Sequence, residues 1–334
     1  MGSPAEMKYH ETIIIGAGPC GLAAAVELEI NDMDYLVLEE FNIVNAIYNY
    51  PTHQTFFSSS GKLAIGDLPF IIEAGRPARN QALVYYREVV RHYGLNINVY
   101  EKVTSGRKTS EGFIIDTLKS RYSCKYLIIA TGYYGQPNKL KVPGGDKEKV
   151  SHYFKEAHPY FNRHVLVVGG RNSSADAAIE LEKAGAHVTV IYRGQDYSKS
   201  IKPWVLPHLK SLGDHGKIDY RFNTDLLEIK EENAVIRTGP EMTVLRNDFV
   251  LAMTGYHPDY DFLRSFGIGL TERGESFIPV YDPATMETDV ENLYIAGVIA
   301  AGDDANTIFI ENGRFHGRKI IPDIIKKSVS ARGD

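Results

Sequence analysis

Thr12-Ile13-Ile14-Ile15-Gly16-Ala17-Gly18-Pro19-Cys20-Gly21 decides the fold of this 334-residue chain. A β-branched run, typical of a strand, leads into glycines at the spacing Gly16, Gly18, Gly21. Pro19 suits a first helical turn, where its missing N–H is no loss, and Leu22 to Leu28 is rich in Ala and Leu. Tyr35 to Leu38 then reads as a second strand, ending at Glu39. The unit is strand, glycine turn, helix, strand. Its glycines let the backbone approach a pyrophosphate, which meets the positive end of the helix dipole. Glu39, 18 residues past Gly21, is placed to accept a hydrogen bond from a ribose diol. The turn also holds Cys20, one of only two cysteines in the chain.

A second copy follows. Val165 to Val168 is the strand, Gly169-Gly170-Arg171-Asn172-Ser173-Ser174 the turn, and Asp176 to Lys183 the helix, with Gly185 as its C-terminal cap. Val188 to Tyr192 is the next strand and ends at Arg193. Glu39 stands 23 residues after Gly16, and Arg193 stands 24 after Gly169. A carboxylate suits a free ribose 2′-OH and repels a 2′-phosphate, while a guanidinium does the reverse. The first turn is therefore expected to hold FAD and the second NADPH. Lys199 and Lys202 lie downstream, where each either assists at the phosphate or faces solvent.

Two further strand-then-glycine segments frame the second unit, Tyr126 to Gly132 and Phe249 to Gly255. A last strand, Leu293 to Gly297, leads towards a helix expected around Ile308 to Lys319. The expected architecture is α/β, two Rossmann-like dinucleotide-binding domains with the NADPH domain (136–255) inserted into the FAD domain (1–135 and 256–334).

Composition narrows the function classes. The chain is 43% hydrophobic and 24% charged with a net charge of −5, which argues against nucleic-acid binding. No apolar run approaches a membrane span, and no apolar signal core opens the chain, so a cytoplasmic protein is expected. Met7 is expected as the natural start, with Met1 to Pro4 an added leader. Two cysteines make neither a disulfide framework nor a zinc cluster, and the eleven histidines show no metal-ligand spacing. No metal is expected. Phe57 to Gly61 is not a G-x-S-x-G elbow.

Both fingerprints, the Ala130-Thr131-Gly132 segment and the closing strand resemble the small thioredoxin-reductase-like flavoproteins over essentially the whole chain. Within that group, Tyr48 to Ser60, Ala130 to Asn138, His152 to Phe161, Gly255 to Tyr260 and Ala301 to Gly317 resemble the bacillithiol-disulfide reductases, the YpdA type. The resemblance implies an FAD-dependent NADPH:disulfide oxidoreductase of redox homeostasis, acting on a small-molecule disulfide, and a homo-oligomer (dimer or tetramer). It places Gly16, Gly18, Pro19, Cys20, Gly21 and Glu39 at FAD, with Tyr48, His53, Gln54 and Thr55 from the loop beside the flavin. Val103, Ala130, Thr131, Gly132 and Gly297 join them, with Thr307 and Ile308 at a helix start whose dipole would face the flavin pyrimidine. Gly169, Gly170, Arg171, Asn172, Ser173 and Arg193 fall on the NADPH side.

Three departures from the thioredoxin-reductase pattern matter. The CxxC before the second fingerprint is absent, the region reading Tyr153-Phe154-Lys155-Glu156-Ala157-His158. The third turn position is Arg171, a pyrophosphate clamp or a solvent-facing side chain. An expected aspartate on the ribityl chain is Val298, and Asp303 or Asp304 is its possible replacement.

Cys20 is the candidate catalytic residue. In one version it attacks the disulfide and holds one half as a mixed disulfide; in the other it only packs beside the flavin. A helix N-terminus lowers a thiol pKa, and the pyrophosphate opposes this. Cys124 reads as structural. His53 and His158 are candidates to protonate a leaving thiolate, Tyr48, Tyr50, Phe56 and Phe57 to stack on flavin, and Arg314 and Arg87 to meet an anionic thiol. The competing readings are an NADPH–ferredoxin or flavodoxin reductase, which also lacks the CxxC, a flavin monooxygenase and a non-enzymatic redox sensor. Against the monooxygenase, Phe154 precedes His158 by four residues with no glycine between.

Overall fold

The computed structural model describes residues 7–274, 276–304 and 307–330. The expectation about Met1 to Pro4, and the Ala305–Asn306 part of the Ala301–Gly317 string, lie outside the described residues. The chain forms two compact units. The first comprises the described residues of Met1–Tyr48, Gln54–Gln136 and Tyr256–Asp334; the second comprises Asn49–His53 and Pro137–Gly255.

In the first unit, Lys8–Ile15 lies between Tyr35–Leu38 and Arg121–Ile129, parallel to both, and Leu293–Ile295 continues the sheet beside Arg121–Ile129. The meander Val103–Thr109, Gly112–Thr117, Arg121–Ile129 adds the antiparallel side of this seven-stranded sheet. Ile13, Ile14, Val37, Leu127 and Ile128 are buried as near-continuous apolar runs, as parallel strands covered on both faces require. Each such side chain contributes roughly 1.5–3 kcal/mol on burial.

The helix Pro19–Ile30 has Pro at its start, as expected, and buries Gly21 through Val26 and Leu28. It is apolar nearly all round because it is enclosed nearly all round. Gly317, opening the helix Gly317–Ser330, lies so close that a Cβ there would sit 2.9 Å from the Ala24 Cα.

The second unit has a five-stranded parallel sheet, ordered 218–221, 187–191, 164–168, 249–252, 150–151. Alternation splits its side chains between faces. Val165, Val167, Val188, Val190 and Leu251 share one core with Ala175, Ala178 and Leu181 of the helix Asn172–Lys183 and Leu209 of Leu206–Asp214. Leu166, Ile191 and Val250 pack instead with Ile229, Ala234 and Ile236 of a three-stranded antiparallel sheet, 224–246. Gly185, at φ +80°, ends the first of those helices as expected.

One expected element differs. The helix expected around Ile308 to Lys319 is two helices, Ile310–Gly313 and Gly317–Ser330. Between them Arg314 donates from Nη1 to the Gly61 and Ala64 carbonyls. His316 accepts from the Gly297 N–H at 3.1 Å. These anchors pull neighbouring residues to different parts of the unit, and helical periodicity yields to them.

No helix among the described residues is long and apolar enough to cross a membrane.

Candidate functional site

Register assembles the first site. Ile15 is level with Leu38 and with Ile129, and Ile129 is level with Ile295. The residues that follow them are Gly16, Glu39, Ala130 and Ala296-Gly297. The carboxyl ends of parallel strands are where α/β sheets receive ligands, and expected site residues from four separated segments meet at this edge.

The glycines here are demanded by closeness. A Cβ on Gly21 would fall 2.0 Å from the Gly16 carbonyl oxygen, and one on Gly16, at φ +106°, would fall 2.6 Å from that of Ala130. Gly18, by contrast, looks onto open space, with nothing within 4 Å of an added Cβ. Its helix start has no side-chain cap. An open floor before uncapped helix N–H groups fits a pyrophosphate. Glu39 is buried and accepts from Ala17 N–H at 2.7 Å and Phe41 N–H at 2.9 Å. Burial pushes its carboxyl up, and these main-chain bonds oppose the shift. Thr131 is exposed and Gly132 has φ +68°.

Cys20 presents its thiol to this same cluster. A Cβ on Gly297 would come within 3.1 Å of Cys20 Sγ, and one on Gly313 within 2.9 Å. The sulfur of this half-buried residue therefore lies against two glycine backbones, and burial pushes the thiol up to about 12. Cys124 is buried in the sheet opposite Phe113, with its thiol also pushed up by burial. Both cysteines are free.

Two side chains that sequence reading missed hold this site in shape. His316 is buried, and its Nδ1 must be unprotonated to accept the Gly297 N–H; burial lowers it to about 4. Arg79, also buried, donates from Nε to the Tyr48 carbonyl at 3.2 Å, and its own N–H donates to the Gln54 carbonyl at 2.8 Å. It thus clamps both ends of the expected flavin loop. His316 lies within the Ala301–Gly317 string, but its role, like that of Arg79, depends on a backbone partner far away in sequence.

The loop residues are divided. Tyr48 exposes its ring, with the Arg79 guanidinium 5.3 Å from the ring centroid. Gln54 turns its side chain to the Thr55 carbonyl at 2.8 Å, and Thr55 bridges Ala78. His53 belongs to the second unit, its ring edge-on to Phe154 at 6.0 Å, and burial lowers its pKa. Val103 is a buried strand residue opposite Thr117.

Near the C-terminus, Thr307 donates to the Asp304 carbonyl and Ile308 precedes a helix that starts only at Ile310. Asn312 bridges Phe309 N–H and the Thr307 carbonyl. The helix expected to start at Thr307–Ile308 is thus one short turn further on. Asp303 is committed elsewhere, accepting from Tyr260 OH at 2.7 Å and Phe277 N–H at 3.1 Å. That removes it as a ready substitute for the aspartate absent at Val298.

The second site repeats the edge geometry. Val168 is level with Ile191 and with Ala252, so Gly169 and the Tyr192-Arg193 pair emerge side by side. A Cβ on Gly170 would enter the Tyr192 ring at 2.3 Å. Asn172 spends its amide on main chain, donating to the Ser200 carbonyl and accepting from the Lys202 N–H. It folds the 198–202 segment beside the turn. Arg171, Ser173, Arg193 and Lys199 are exposed and Lys202 is half-buried. Two arginines on one open edge fit a phosphorylated dinucleotide. Among the described residues no group of three or more His, Cys, Asp or Glu is placed to hold a metal.

Two nucleotide turns, each at the carboxyl ends of parallel strands, define a two-dinucleotide oxidoreductase. The chain belongs to the pyridine nucleotide-disulphide oxidoreductase family, whose model matches residues 13–297. It binds FAD and NADPH and is an FAD-dependent NADPH:disulfide oxidoreductase. It is 54% identical to the bacilliredoxin reductase Bdr of Bacillus subtilis over 96% of this chain and 99% of that one. Two solved structures, titled bacillithiol disulfide reductase Bdr (YpdA), are similar throughout. That from Staphylococcus aureus is 56% identical with a TM-score of 0.94, covering 96% of this chain and 99% of that one. That from Bacillus cereus is 53% identical with a TM-score of 0.93, covering 96% and 100%.

Proposed function

We propose that the chain reduces bacillithiol disulfide to two molecules of bacillithiol, one NADPH and one proton being consumed for each disulfide split. The observation that carries this reading is two nucleotide turns, ending at Glu39 and at the exposed Arg193, in a chain that has no CxxC before the second turn. A dithiol relay to a protein is thus missing, and near-full-length likeness to enzymes titled for this substrate supports a small disulfide.

FAD, when bound, supplies the two electrons received as hydride from NADPH. The chain's own residues shape and charge the two sites. Glu39 tethers the first turn through Ala17 and stands ready for a ribose hydroxyl. Neutral His316 fixes the Gly297 peptide. Arg193 and Arg171, with Lys199 and Lys202 on the segment held by Asn172, supply positive charge for phosphate.

Two routes assign Cys20 different work. The mixed-disulfide route requires the Ile310–Gly313 turn to move off Sγ and the thiol to lose its proton. The direct route leaves Cys20 as packing between two glycines. In Cys20→Ala, NADPH should still reduce the bound flavin. Disulfide turnover lost with flavin reduction intact assigns the covalent route; turnover kept within about threefold assigns packing.

The B. subtilis relative's name favours a second acceptor, a bacilliredoxin. NADPH oxidation by purified protein against bacillithiol disulfide, glutathione disulfide, cystine, oxidised bacilliredoxin and ferredoxin tests the whole reading. Turnover with ferredoxin alone overturns it. We read the chain as cytoplasmic and as a homo-oligomer, dimer or tetramer, which light scattering of the purified protein checks.

A further inference from the structure

The two nucleotide turns are held by the same main-chain bonds. In each, the N–H of the first glycine donates to the last residue of the next strand: Gly16 to the Leu38 carbonyl at 2.8 Å, Gly169 to the Ile191 carbonyl at 3.1 Å. The residue that follows that strand is also fixed alike in both. Glu39 donates to the Asn98 carbonyl at 2.9 Å and accepts from Glu101 N–H at 2.8 Å. Tyr192 donates to the Arg221 carbonyl at 2.9 Å and accepts from Thr224 N–H at 3.1 Å. Glu39 and Tyr192 each stand 23 residues after the first glycine of their turn. The counterpart of Glu39 is therefore Tyr192, and Arg193 corresponds to the exposed Glu40.

The two side chains meet their turns differently. The Glu39 carboxylate reaches back to the second turn position and accepts from Ala17 N–H at 2.7 Å. Tyr192 lays its ring over the same position of the other turn, where a Cβ on Gly170 would fall 2.3 Å from two ring carbons. The far edge of the ring faces Gly194, whose added Cβ would also fall 2.3 Å from it. Gly170 lies outside the left-handed region, so this glycine supplies room for the ring and not backbone freedom. Ala17 keeps its methyl because a carboxylate, and no ring, comes over it. Alanine with glutamate and glycine with tyrosine are two matched pairs.

Resting on the assignment of the second turn to NADPH, we propose that Tyr192, seated on Gly170, is a determinant of the choice of NADPH over NADH. A carboxylate at this position takes up a free ribose 2′-OH and repels a 2′-phosphate. The ring fills that place with an uncharged group, which removes both the acceptor for the diol and the repulsion of the phosphate. Arg193, one residue on and exposed, then supplies the attraction. Selection is divided between a residue that leaves out one charge and a residue that adds its opposite.

The test is calorimetric titration of the FAD-loaded protein with NADP⁺ and with NAD⁺, read as the ratio of the two dissociation constants. Tyr192→Glu, alone and with Gly170→Ala, should lower the preference for NADP⁺ about 100-fold, from about tenfold weaker NADP⁺ and about tenfold tighter NAD⁺. Tyr192→Phe keeps the ring and should stay within about twofold of the wild-type ratio. Tyr192→Gln brings an acceptor without a charge. It should lower the ratio about threefold or more, and it carries the test if the acidic variants do not fold. A ratio unchanged in Tyr192→Glu and Tyr192→Gln, but lowered by Arg193→Ala, overturns the proposal and leaves the assignment of the turn standing. A ratio that none of these variants moves overturns both. A fall as large in Tyr192→Phe as in Tyr192→Glu also overturns the proposal, because the hydroxyl and not the missing carboxylate would then set the choice.

Discussion

At the residue scale, His316 and Asp176 show how burial sets charge in this protein. His316 is held neutral at about 4 by burial, and its Nδ1 lone pair is occupied by the Gly297 N–H. The unfolded chain binds a proton at His316 near pH 6.5, before the folded chain does. Stability from this group is therefore complete above pH 6.5 and is lost as pH falls through about 4, to a total of roughly 3 kcal/mol. Urea unfolding across that window should show the loss in the wild type and a flatter profile in His316→Gln. Asp176, in the helix after the second turn, has the opposite sign. Burial, and then Glu180, push it up to about 6. Its contribution is complete below pH 4 and is lost as pH rises through about 6, leaving an energetic penalty of order 2–3 kcal/mol at pH 8. Asp176→Asn should stabilise the fold at pH 8 and match the wild type at pH 4, as read by the same unfolding curves. Neither histidine nor aspartate carries a signal in the sequence, because what shifts them is desolvation by remote segments.

At the element scale, the glycine turns are legible because their constraint is local. Strand, turn and helix are contiguous, so β-branching, glycine spacing and Pro19 all act within some ten residues. Gly21 supports a direct test. Its Cβ would meet the Gly16 carbonyl oxygen at 2.0 Å, a clash that backbone cannot avoid without moving the turn. Gly21→Ala should therefore purify with its FAD content reduced by about tenfold or more, measured by flavin absorbance per chain, while NADPH affinity stays as in the wild type. The helix near residue 308 was less legible. Its periodicity runs from Ile308 to Lys319, yet the chain breaks after Gly313 because Arg314 and His316 find partners some 250 and 19 residues away in sequence. Local propensity is worth tenths of a kcal/mol per residue, less than a buried hydrogen bond to an otherwise orphaned group.

At the scale of the whole molecule, each unit has its own sheet and its own buried core residues. Each also carries one nucleotide turn, so ligand binding should stabilise the units separately. Calorimetry of the apoprotein should resolve two unfolding transitions. FAD at 100 times its Kd should raise one of them by about 2.7 kcal/mol, and NADP⁺ should raise the other. A single transition moved equally by both ligands would contradict independent units.

The two dinucleotide folds and their order in the chain are legible in the sequence, and the acid Glu39 and the base Arg193 at the two strand ends suggest which nucleotide each turn takes. Those properties depend on short-range spacing and on the charge of one residue at each strand end. Folding of distant segments sets the rest: the register that levels Ile15, Leu38, Ile129 and Ile295, the contact of Cys20 Sγ with Gly297 and Gly313, and the clamp of Arg79. Each of these joins segments far apart along the chain. Burial and hydrogen-bond satisfaction choose such partners only when the whole core closes.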